Sequence, residues 1–245
     1  MHRFFADQRG IVSGEAWLDE EEALHARRVL RLRPGDRVEL LCGGARYAAS
    51  ISVLEEGCAR LRVEEALPST ETRLRLTLFQ GLPKGDKMEL VVQKAAELGA
   101  EAVVPVAMSR CVARLSPADG DKKRQRWQKI AHEACKQSGR CRELNVSAPL
   151  AFAQLPGALA GFDGAIVPWE ETRIGGPLAY YRAHPQLTRL ALVIGPEGGI
   201  APGEIKQLRA AGAEPVTLGP RILRTETAGL AALSALLCLW GEMEG

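Results

Sequence analysis

Apolar and polar positions alternate along the first part of the chain. The alternation recurs over residues 47–54 and 59–64, and it is typical of half-buried β-strands. Residues 20–30 differ, because their apolar positions have a helical spacing. We therefore predict a small β-rich unit over residues 1–70. The polar, proline-containing stretch 67–72 predicts a linker after it.

After this linker the pattern changes to short apolar runs separated by helix-like segments. Strands are predicted at residues 74–80, 102–106, 164–168, 190–194 and 214–218. Helices are predicted at residues 84–98, 119–138, 202–211 and 225–240. This alternation predicts an α/β domain over residues 71–245, built on a mostly parallel sheet. The last helix is apolar nearly all round, so its surface must be covered by the domain or by a second subunit.

The composition adds a charge pattern to this picture. Hydrophobic residues make up 46% of the 245 positions and charged residues 25%, which is typical of a folded protein and excludes a disordered chain. The net charge is only +2, but residues 122–142 contain eight Lys or Arg and one acid, Glu133. Residues 25–37 contain five Arg and one acid, Asp36. Such local basic segments are either solvated faces or contacts for a nucleic acid.

Cysteine usage and the apolar segments limit the class of protein further. The six cysteines form no C-x-x-C pair and have no accompanying histidine cluster, so we expect reduced, buried thiols and no metal site. The first residues lack the apolar region of a signal peptide. The most apolar segment, residues 228–240, is too short to span a bilayer. A cytoplasmic protein is expected.

Three loops that follow predicted strands are candidates for a binding site, because ligands of open parallel sheets bind at the carboxyl ends of strands. The first loop begins with Pro168 and Trp169. The second is the glycine-rich segment 195–199, whose backbone can approach a ligand closely. It lacks the Lys and Ser/Thr of a phosphate-binding loop, and Glu197 favours a neutral or cationic ligand.

The third loop covers residues 218–228, where Gly219 and Pro220 precede the start of the last helix. Thr225 is a candidate N-cap of that helix, and Glu226 is favourable in its first turn. Ordinary helix capping does not account for the placement of Arg221 and Arg224 on either side of the apolar pair Ile222 and Leu223. The backbone and apolar side chains of this loop are suited to holding an adenine ring.

Together, the second and third loops resemble those of the 16S rRNA uridine-N3 methyltransferases, which belong to the SPOUT superfamily. Four further segments are similar to the same family, in the same order along the chain: residues 2–5, 25–36, 82–99 and 133–140. The chain departs from the family pattern after Arg140, where Cys141 and Arg142 stand near the place of a usual proline. The path of that segment is therefore open.

The resemblance implies a SPOUT-type parallel sheet with a deep C-terminal trefoil knot, preceded by a PUA-like RNA-binding domain over residues 1–70. It implies S-adenosylmethionine as the cofactor of a methyltransferase domain over residues 71–245. It also implies 16S rRNA as the substrate, within the small ribosomal subunit, and a homodimer. The implied cofactor contacts are Pro168, Trp169, Ile194, Gly195, Pro196, Glu197, Gly198, Gly199, Leu218, Gly219, Ile222, Leu223, Arg224, Thr225, Thr227 and Ala228.

Methylation at N3 of uridine requires the N3 proton to be removed or its negative charge to be stabilised. Arg140 and Arg224 are candidates for stabilising charge on the uracil oxygens, and Glu226 is a candidate carboxylate of the active site. The general base is not identified. Contacts with RNA phosphates are predicted for Arg3, Arg27, Arg28, Arg31, Lys84, Lys122, Lys123, Arg124 and Arg126.

Other functions remain open at the level of sequence. A SPOUT enzyme that methylates another RNA position, such as a ribose 2′-hydroxyl, would have similar loops. A non-catalytic RNA-binding protein of ribosome assembly would retain the fold without the reaction. A nucleotide-dependent enzyme would use residues 195–199 as a phosphate loop, although the motif for this is incomplete.

Overall fold

A computed structural model describes residues 1–173 and 175–244 of the chain. The chain forms two compact units, of which the first contains Met1–Glu71 together with Cys135–Glu143. The second contains Thr72–Ala134 and the chain from Leu144 onward. Residues 135–143 thus pack in the first unit, although the sequence alone placed them inside the second domain.

The first unit is built on a six-stranded sheet with the order β1-β4-β5-β6-β3-β2. Its strands are β1 (Arg3–Phe5), β2 (Ile11–Val12), β3 (Glu15–Leu18), β4 (Arg37–Cys42), β5 (Ala45–Glu55) and β6 (Cys58–Leu67). Strands β1 and β4 are parallel, and all other paired strands are antiparallel. The prediction of a β-rich unit is confirmed, but β1, β2 and β3 are too short to have shown an alternation of their own.

The helix predicted over residues 20–30 has two parts. Helix α1 (Glu20–Leu24) is capped by Asp19, whose side chain accepts a hydrogen bond of 2.8 Å from the backbone of Glu22. A π-helical turn, His25–Val29, continues it. The apolar side of both parts is buried against the sheet in a core that includes Phe4, Ala26 and Leu61.

The segment 135–143 is held in the first unit by one carboxylate. Glu71 accepts a 2.8 Å hydrogen bond from the Arg140 guanidinium and further bonds from the backbone amides of Cys141 and Arg142, at 2.7 and 3.0 Å. The Thr70 hydroxyl donates to the carbonyl of Gly139 at 2.7 Å. These bonds satisfy polar groups at the end of the helix that contains residues 119–138. They explain why residues 135–143 pack in the first unit.

The second unit is a parallel sheet with the order β10-β8-β7-β12-β11-β13, and β9 pairs with β8. Its strands are β7 (Arg75–Gly81), β8 (Ala102–Ala107), β9 (Asn145–Val146), β10 (Leu150–Ala151), β11 (Gly164–Pro168), β12 (Arg189–Ile194) and β13 (Ala213–Val216). Strands β7, β12 and β11 are almost completely buried, as a parallel sheet requires. The predicted parallel α/β fold is confirmed.

Helices α2 to α7 accompany this sheet, and the last turn of α3 belongs to the first unit. Their bounds are α2 (Lys87–Leu98), α3 (Pro117–Ser138), α4 (Leu155–Ala158), α5 (Pro177–Ala183), α6 (Pro202–Ala210) and α7 (Thr225–Leu239). Helix α2 ends at Gly99, which adopts the left-handed conformation with φ 99°. Helix α7 buries Ala232, Leu233, Leu236 and Leu237, so much of its apolar surface is covered within its own unit.

Two expectations about local structure were wrong. Arg224, not Thr225, is the N-cap residue of α7, with extended dihedral angles and no capping bond from its side chain. The cysteines are not all buried, since Cys58 and Cys238 are exposed. Within the described residues, no helix combines the length and the apolar character needed to cross a membrane.

Candidate active site

The order of the strands in the second unit brings three loops together. Strand β11 lies between β12 and β13, and both pairings are parallel. The carboxyl ends of these strands therefore face the same edge of the sheet. The segments that follow them surround a cavity of about 890 Å³. This volume is within the range of small-molecule and cofactor sites.

The three loops that were predicted from the sequence to form a binding site all line this cavity. Of the residues for which a cofactor contact was predicted, all except Thr227 line it. Thr227 lies in the first turn of α7 with an exposed side chain. Lining residues that the prediction did not include are Lys87, Glu170, Thr172, Arg173, Ile200, Thr217, Pro220 and Arg221.

Glycines permit the second loop to fold tightly against its neighbours. A β-carbon at Gly195 would lie 2.7 Å from Ile200 and 3.2 Å from the backbone of Gly199. Gly199 has a φ of 72°, which residues with a side chain rarely adopt. On the adjoining strand, a β-carbon at Gly81 would lie 2.6 Å from the backbone nitrogen of Pro196. The glycines therefore allow neighbouring segments to pack closely. This packing restricts the conformation of the second loop.

A lysine and two carboxylates form an ionic cluster beside the loop. The Lys87 ammonium, in the first turn of α2, lies 2.9 Å from Glu197 and 3.3 Å from Glu226. Glu197 also accepts from the backbone amide of Lys84 at 3.1 Å. This cluster ties the start of α2 to the second loop and to the first turn of α7.

The contact between Lys87 and Glu197 keeps both of these groups charged. The hydrogen bond to Glu197 raises the pKa of the Lys87 ammonium, with a smaller contribution from Glu226 against the effect of burial. Burial on its own raises the pKa of Glu197, but the bonds from Lys87 and the surrounding backbone outweigh it, and the net pKa is lowered. Lys87 is therefore a fixed cation at neutral pH and cannot act as a base there.

A chain of buried hydrogen bonds joins the second and third loops. The Thr225 hydroxyl donates to the Gly195 carbonyl at 2.6 Å. It accepts in turn from the side-chain amide of Gln80, at the end of β7, at 2.8 Å. Thr225 is thus turned into the protein interior instead of capping its helix, and its hydroxyl holds the two loops together.

The rim of the cavity is exposed and carries several charges. Arg221 and Arg224 are exposed, as is Glu170, and Ile222 is 82% exposed. In the first loop, the indole nitrogen of Trp169 is buried and has no hydrogen-bond acceptor among the described residues. A buried N–H donor is costly to leave unpaired, so this donor is suited to a ligand with a nearby acceptor.

Arg140, a predicted catalytic residue, lies in the first unit. It is only 5% exposed, and its guanidinium pairs with Glu71 at 2.8 Å. Arg224 and Glu226, the other predicted catalytic residues, lie in the second unit at the start of α7, where Arg224 lines the cavity and Glu226 contacts Lys87.

The predicted RNA contacts differ in how much of each side chain is free. The Arg3 guanidinium donates hydrogen bonds to Glu39 at 3.0 Å and to the carbonyls of Lys136 and Gln137 at 3.2 and 2.8 Å. Exposed side chains in the first unit are Arg27, Arg28 and Arg31, of which Arg28 pairs with Glu56. In the second unit, Lys84, Lys122 and Arg126 are exposed, Lys123 and Arg124 are half-buried, and Arg126 pairs with Glu89 at 2.8 Å.

Family models cover both units of the chain. An RNA methyltransferase domain matches residues 70–237, and an RNA methyltransferase PUA domain matches residues 18–64. The parallel α/β sheet, the cavity at its carboxyl edge and the N-terminal β-unit thus define a methyltransferase of the RNA-modifying class with a PUA-like domain.

Curated relatives identify the family more narrowly. Ribosomal RNA small subunit methyltransferase E of Bacillus subtilis is 37% identical over 88% of this chain and 87% of its own length. The protein of the same name from Mycobacterium bovis is 36% identical over 95% of this chain and 90% of its own length. The chain belongs to the ribosomal RNA small subunit methyltransferase E family, so the resemblance found in the sequence is confirmed.

A solved structure supports the same relationship. The crystal structure of a ribosomal RNA small subunit methyltransferase E from Neisseria gonorrhoeae, bound to S-adenosyl methionine, superposes with a TM-score of 0.79. It is 33% identical and covers 98% of both chains. The similarity therefore extends over the whole chain and includes the loops of the cavity.

The tight packing of the second loop gives a prediction about stability. Gly195→Ala should lower the free energy of unfolding by about 1–3 kcal/mol, because the added methyl group meets Ile200 and the backbone of Gly199. Gly203→Ala is the matched control, since nothing lies within 4 Å of a β-carbon there. This control should be neutral or stabilising by up to about 1 kcal/mol. Urea denaturation measures both, and equal effects of the two substitutions would contradict the packing described for Gly195.

Proposed function

We propose that this protein transfers the methyl group of S-adenosylmethionine to N3 of a uridine in 16S rRNA. The observation that carries the proposal is the cavity, in which three loops of a methyltransferase-family chain converge. A similar crystal structure, at 33% identity, contains S-adenosyl methionine, and the curated relatives are named for the small subunit ribosomal RNA.

The residues of the cavity fit this cofactor. The backbone of residues 195–199 and 217–224 offers amides and carbonyls without bulky side chains in the second loop. The unpaired indole N–H of Trp169 is available to an acceptor, and the carboxylate of Glu170 lies near Gly199. S-adenosylmethionine supplies a methyl group already activated on a cationic sulfonium, and a carboxylate favours such a cation. We assign cofactor contacts to the residues that were predicted from the sequence and line the cavity.

For the transfer step, the chain must place the uracil in line with the methyl group and stabilise the negative charge that develops when N3 loses its proton. We assign this role to Lys87, because it lines the cavity and its ammonium is cationic there. Arg224 adds a second cation from the third loop. Glu226, in contact with Lys87 at 3.3 Å, orients that ammonium and is our candidate carboxylate for accepting the proton.

Arg140 lies in the first unit, whereas the residues that line the cavity lie in the second unit. Its guanidinium is buried against Glu71, which leaves little freedom to follow a substrate. We propose that Arg140 acts on the uracil or on an RNA phosphate through its guanidinium. Loss of turnover at unchanged cofactor affinity in Arg140→Lys would support this role.

We further propose a division of labour between residues 1–70 and 71–245. The first domain binds RNA through Arg27, Arg28 and Arg31, with Arg3 in a structural role because of its pairing with Glu39. The methyltransferase domain adds phosphate contacts from its own basic side chains, Lys84, Lys122, Lys123, Arg124 and Arg126. N3 lies on the pairing edge of uracil, so the target base must be presented unpaired.

The family resemblance also leads us to propose a C-terminal trefoil knot, a homodimer, a place of action in the cytoplasm and a substrate within the small ribosomal subunit. The exposed residues of α7, among them Ala231 and Cys238, are available for contact with a second copy. A dimer of this kind would cover the part of α7 that its own unit leaves open.

The proposed reaction is tested by incubating the purified protein with radiolabelled S-adenosylmethionine and unmodified small ribosomal subunits, followed by nucleoside analysis. Labelled 3-methyluridine is the expected product. A labelled 2′-O-methyl nucleoside would show that the enzyme methylates a ribose 2′-hydroxyl and not N3 of uridine. Tight cofactor binding without transfer to any ribosomal RNA would favour a non-catalytic role in assembly, and ATP displacing the cofactor would favour a nucleotide-dependent enzyme.

The proposed role of Lys87 gives a second prediction. Lys87→Met should lower kcat by about 10²–10³-fold, because it removes a positive donor aimed at charge that develops in the reaction. Its dissociation constant for S-adenosylmethionine should change far less. Lys94→Met is a matched control on the same helix, since Lys94 pairs with Glu97 three residues away and is not among the described residues that line the cavity. If both variants keep their kcat, Lys87 has no part in stabilising the transition state.

A further inference from the structure

Gln80 is an unusual residue for its place in the sheet. It lies near the end of β7, a central strand, where its backbone neighbours are Pro105 on β8 and Ile194 on β12. Its side chain is completely buried, and the residues around it on the strand, Leu76, Leu78 and Phe79, are apolar. An amide in such a position carries a desolvation cost that an apolar side chain of the same length would avoid.

Only part of this cost is offset by hydrogen bonds. The side-chain nitrogen donates to the Thr225 hydroxyl at 2.8 Å and to the Gly81 carbonyl at 3.1 Å. The side-chain oxygen is buried and has no hydrogen-bond partner among the described residues. A β-carbon at Gly229 on α7 would lie 3.1 Å from that oxygen, so the absence of a side chain there makes room for the amide. Stability of the sheet alone therefore does not account for a glutamine at this position.

The bonds of Gln80 lead directly to the cavity. Thr225, which accepts a hydrogen bond from Gln80, donates one from its own hydroxyl to the carbonyl of Gly195 at 2.6 Å. Gly195 begins the second loop, and Thr225 is the first residue of α7, at the end of the third loop. Both line the cavity, while Gln80 does not. With the Gln80 amide as its donor, the Thr225 hydroxyl directs its hydrogen to the Gly195 carbonyl, which links the first residue of α7 to the second loop.

A second contact from the same strand end acts on the same loop. Gly81 approaches Pro196 so closely that a β-carbon would lie 2.6 Å from the Pro196 nitrogen. The end of β7 thus holds the second loop by packing at Pro196 and by hydrogen bonds at Gly195. Hydrogen bonds in a dry interior are strongly directional, so this arrangement gives the loops one geometry before any ligand arrives.

We propose that Gln80 is a positioning residue of the cofactor site, which acts through Thr225 to hold the second and third loops at the separation that S-adenosylmethionine requires. The proposal rests on the proposed function, because it takes S-adenosylmethionine to be the ligand of the cavity. A ligand that meets loops already in place loses less free energy to ordering them, and it therefore binds more tightly.

A double-mutant cycle tests this proposal. The variants are Gln80→Met, which keeps the length and removes the amide, Thr225→Val, which keeps the shape and removes the hydroxyl, and their combination. Calorimetry with S-adenosylmethionine should show each single variant weakened by about five- to tenfold, the effect of one lost hydrogen bond. The double variant should be no weaker than the weaker single variant, because both changes break the same chain.

Two further variants separate positioning from stability. Thr225→Ser keeps the hydroxyl and should retain binding within about twofold of the wild type. Thr77→Val removes another buried hydroxyl of β7, away from the cavity, and should leave the dissociation constant unchanged even if it lowers the unfolding temperature. Multiplicative effects in the double variant, or Gln80→Met binding like the wild type, would overturn the proposal.

Hydrogen exchange without ligand distinguishes a failure of this proposal from a failure of the proposed function. Gln80→Met should speed amide exchange in residues 195–199 and leave β8 unchanged. If the wild-type protein does not bind S-adenosylmethionine, the assigned cofactor is wrong, and the exchange result still decides whether Gln80 orders the loop. Unchanged exchange in residues 195–199 would refute the role of Gln80 whatever the ligand.

Discussion

The parallel pairing of β11 with β12 on one side and β13 on the other is the constraint on which the site depends. Parallel strands end at a common edge, so three segments distant in sequence have to turn there beside one another. Strand β11 ends in Pro168, and β12 continues into the second loop at Gly195. The third loop runs from Thr217, after β13, to α7. Since β11 and β12 are buried on both faces, the sheet holds their ends in place. The cavity is the space that the three turns leave between them.

Two sets of polar contacts convert this edge into a site of defined shape and charge. Lys87, Glu197 and Glu226 connect α2, the second loop and α7 by ionic contacts at the margin of the cavity. Gln80, Thr225 and Gly195 connect the end of β7 with the same loop and helix from the interior. The outer set supplies a cation to the reaction that we propose, and the inner set supplies geometry. Both meet at the first turn of α7, which is therefore the element most sensitive to substitution.

Local patterns in the sequence were sufficient for β7, β8, β11, β12 and β13, for the glycine-rich turns and for the family, since each depends on residues close together in the chain. They failed where a partner is remote. Thr225 looked like a helix cap, but its hydroxyl bonds to Gly195 and Gln80, which are 30 and 145 residues away. Lys87 and Gln80 had no local signal, because their functional contacts lie more than 100 residues further along the chain. Residues 135–143 likewise left their expected domain because Glu71, 70 residues earlier, binds the backbone there.

The most direct measurement of the central claim is a crystal structure of this protein with S-adenosylmethionine. We expect the cofactor to lie in the cavity between Pro168, Gly195 and Leu218, with the Trp169 indole N–H paired and the Thr225 hydroxyl still bonded to Gly195. Binding at another place, or a cavity whose second and third loops separate to admit the cofactor, would contradict this expectation.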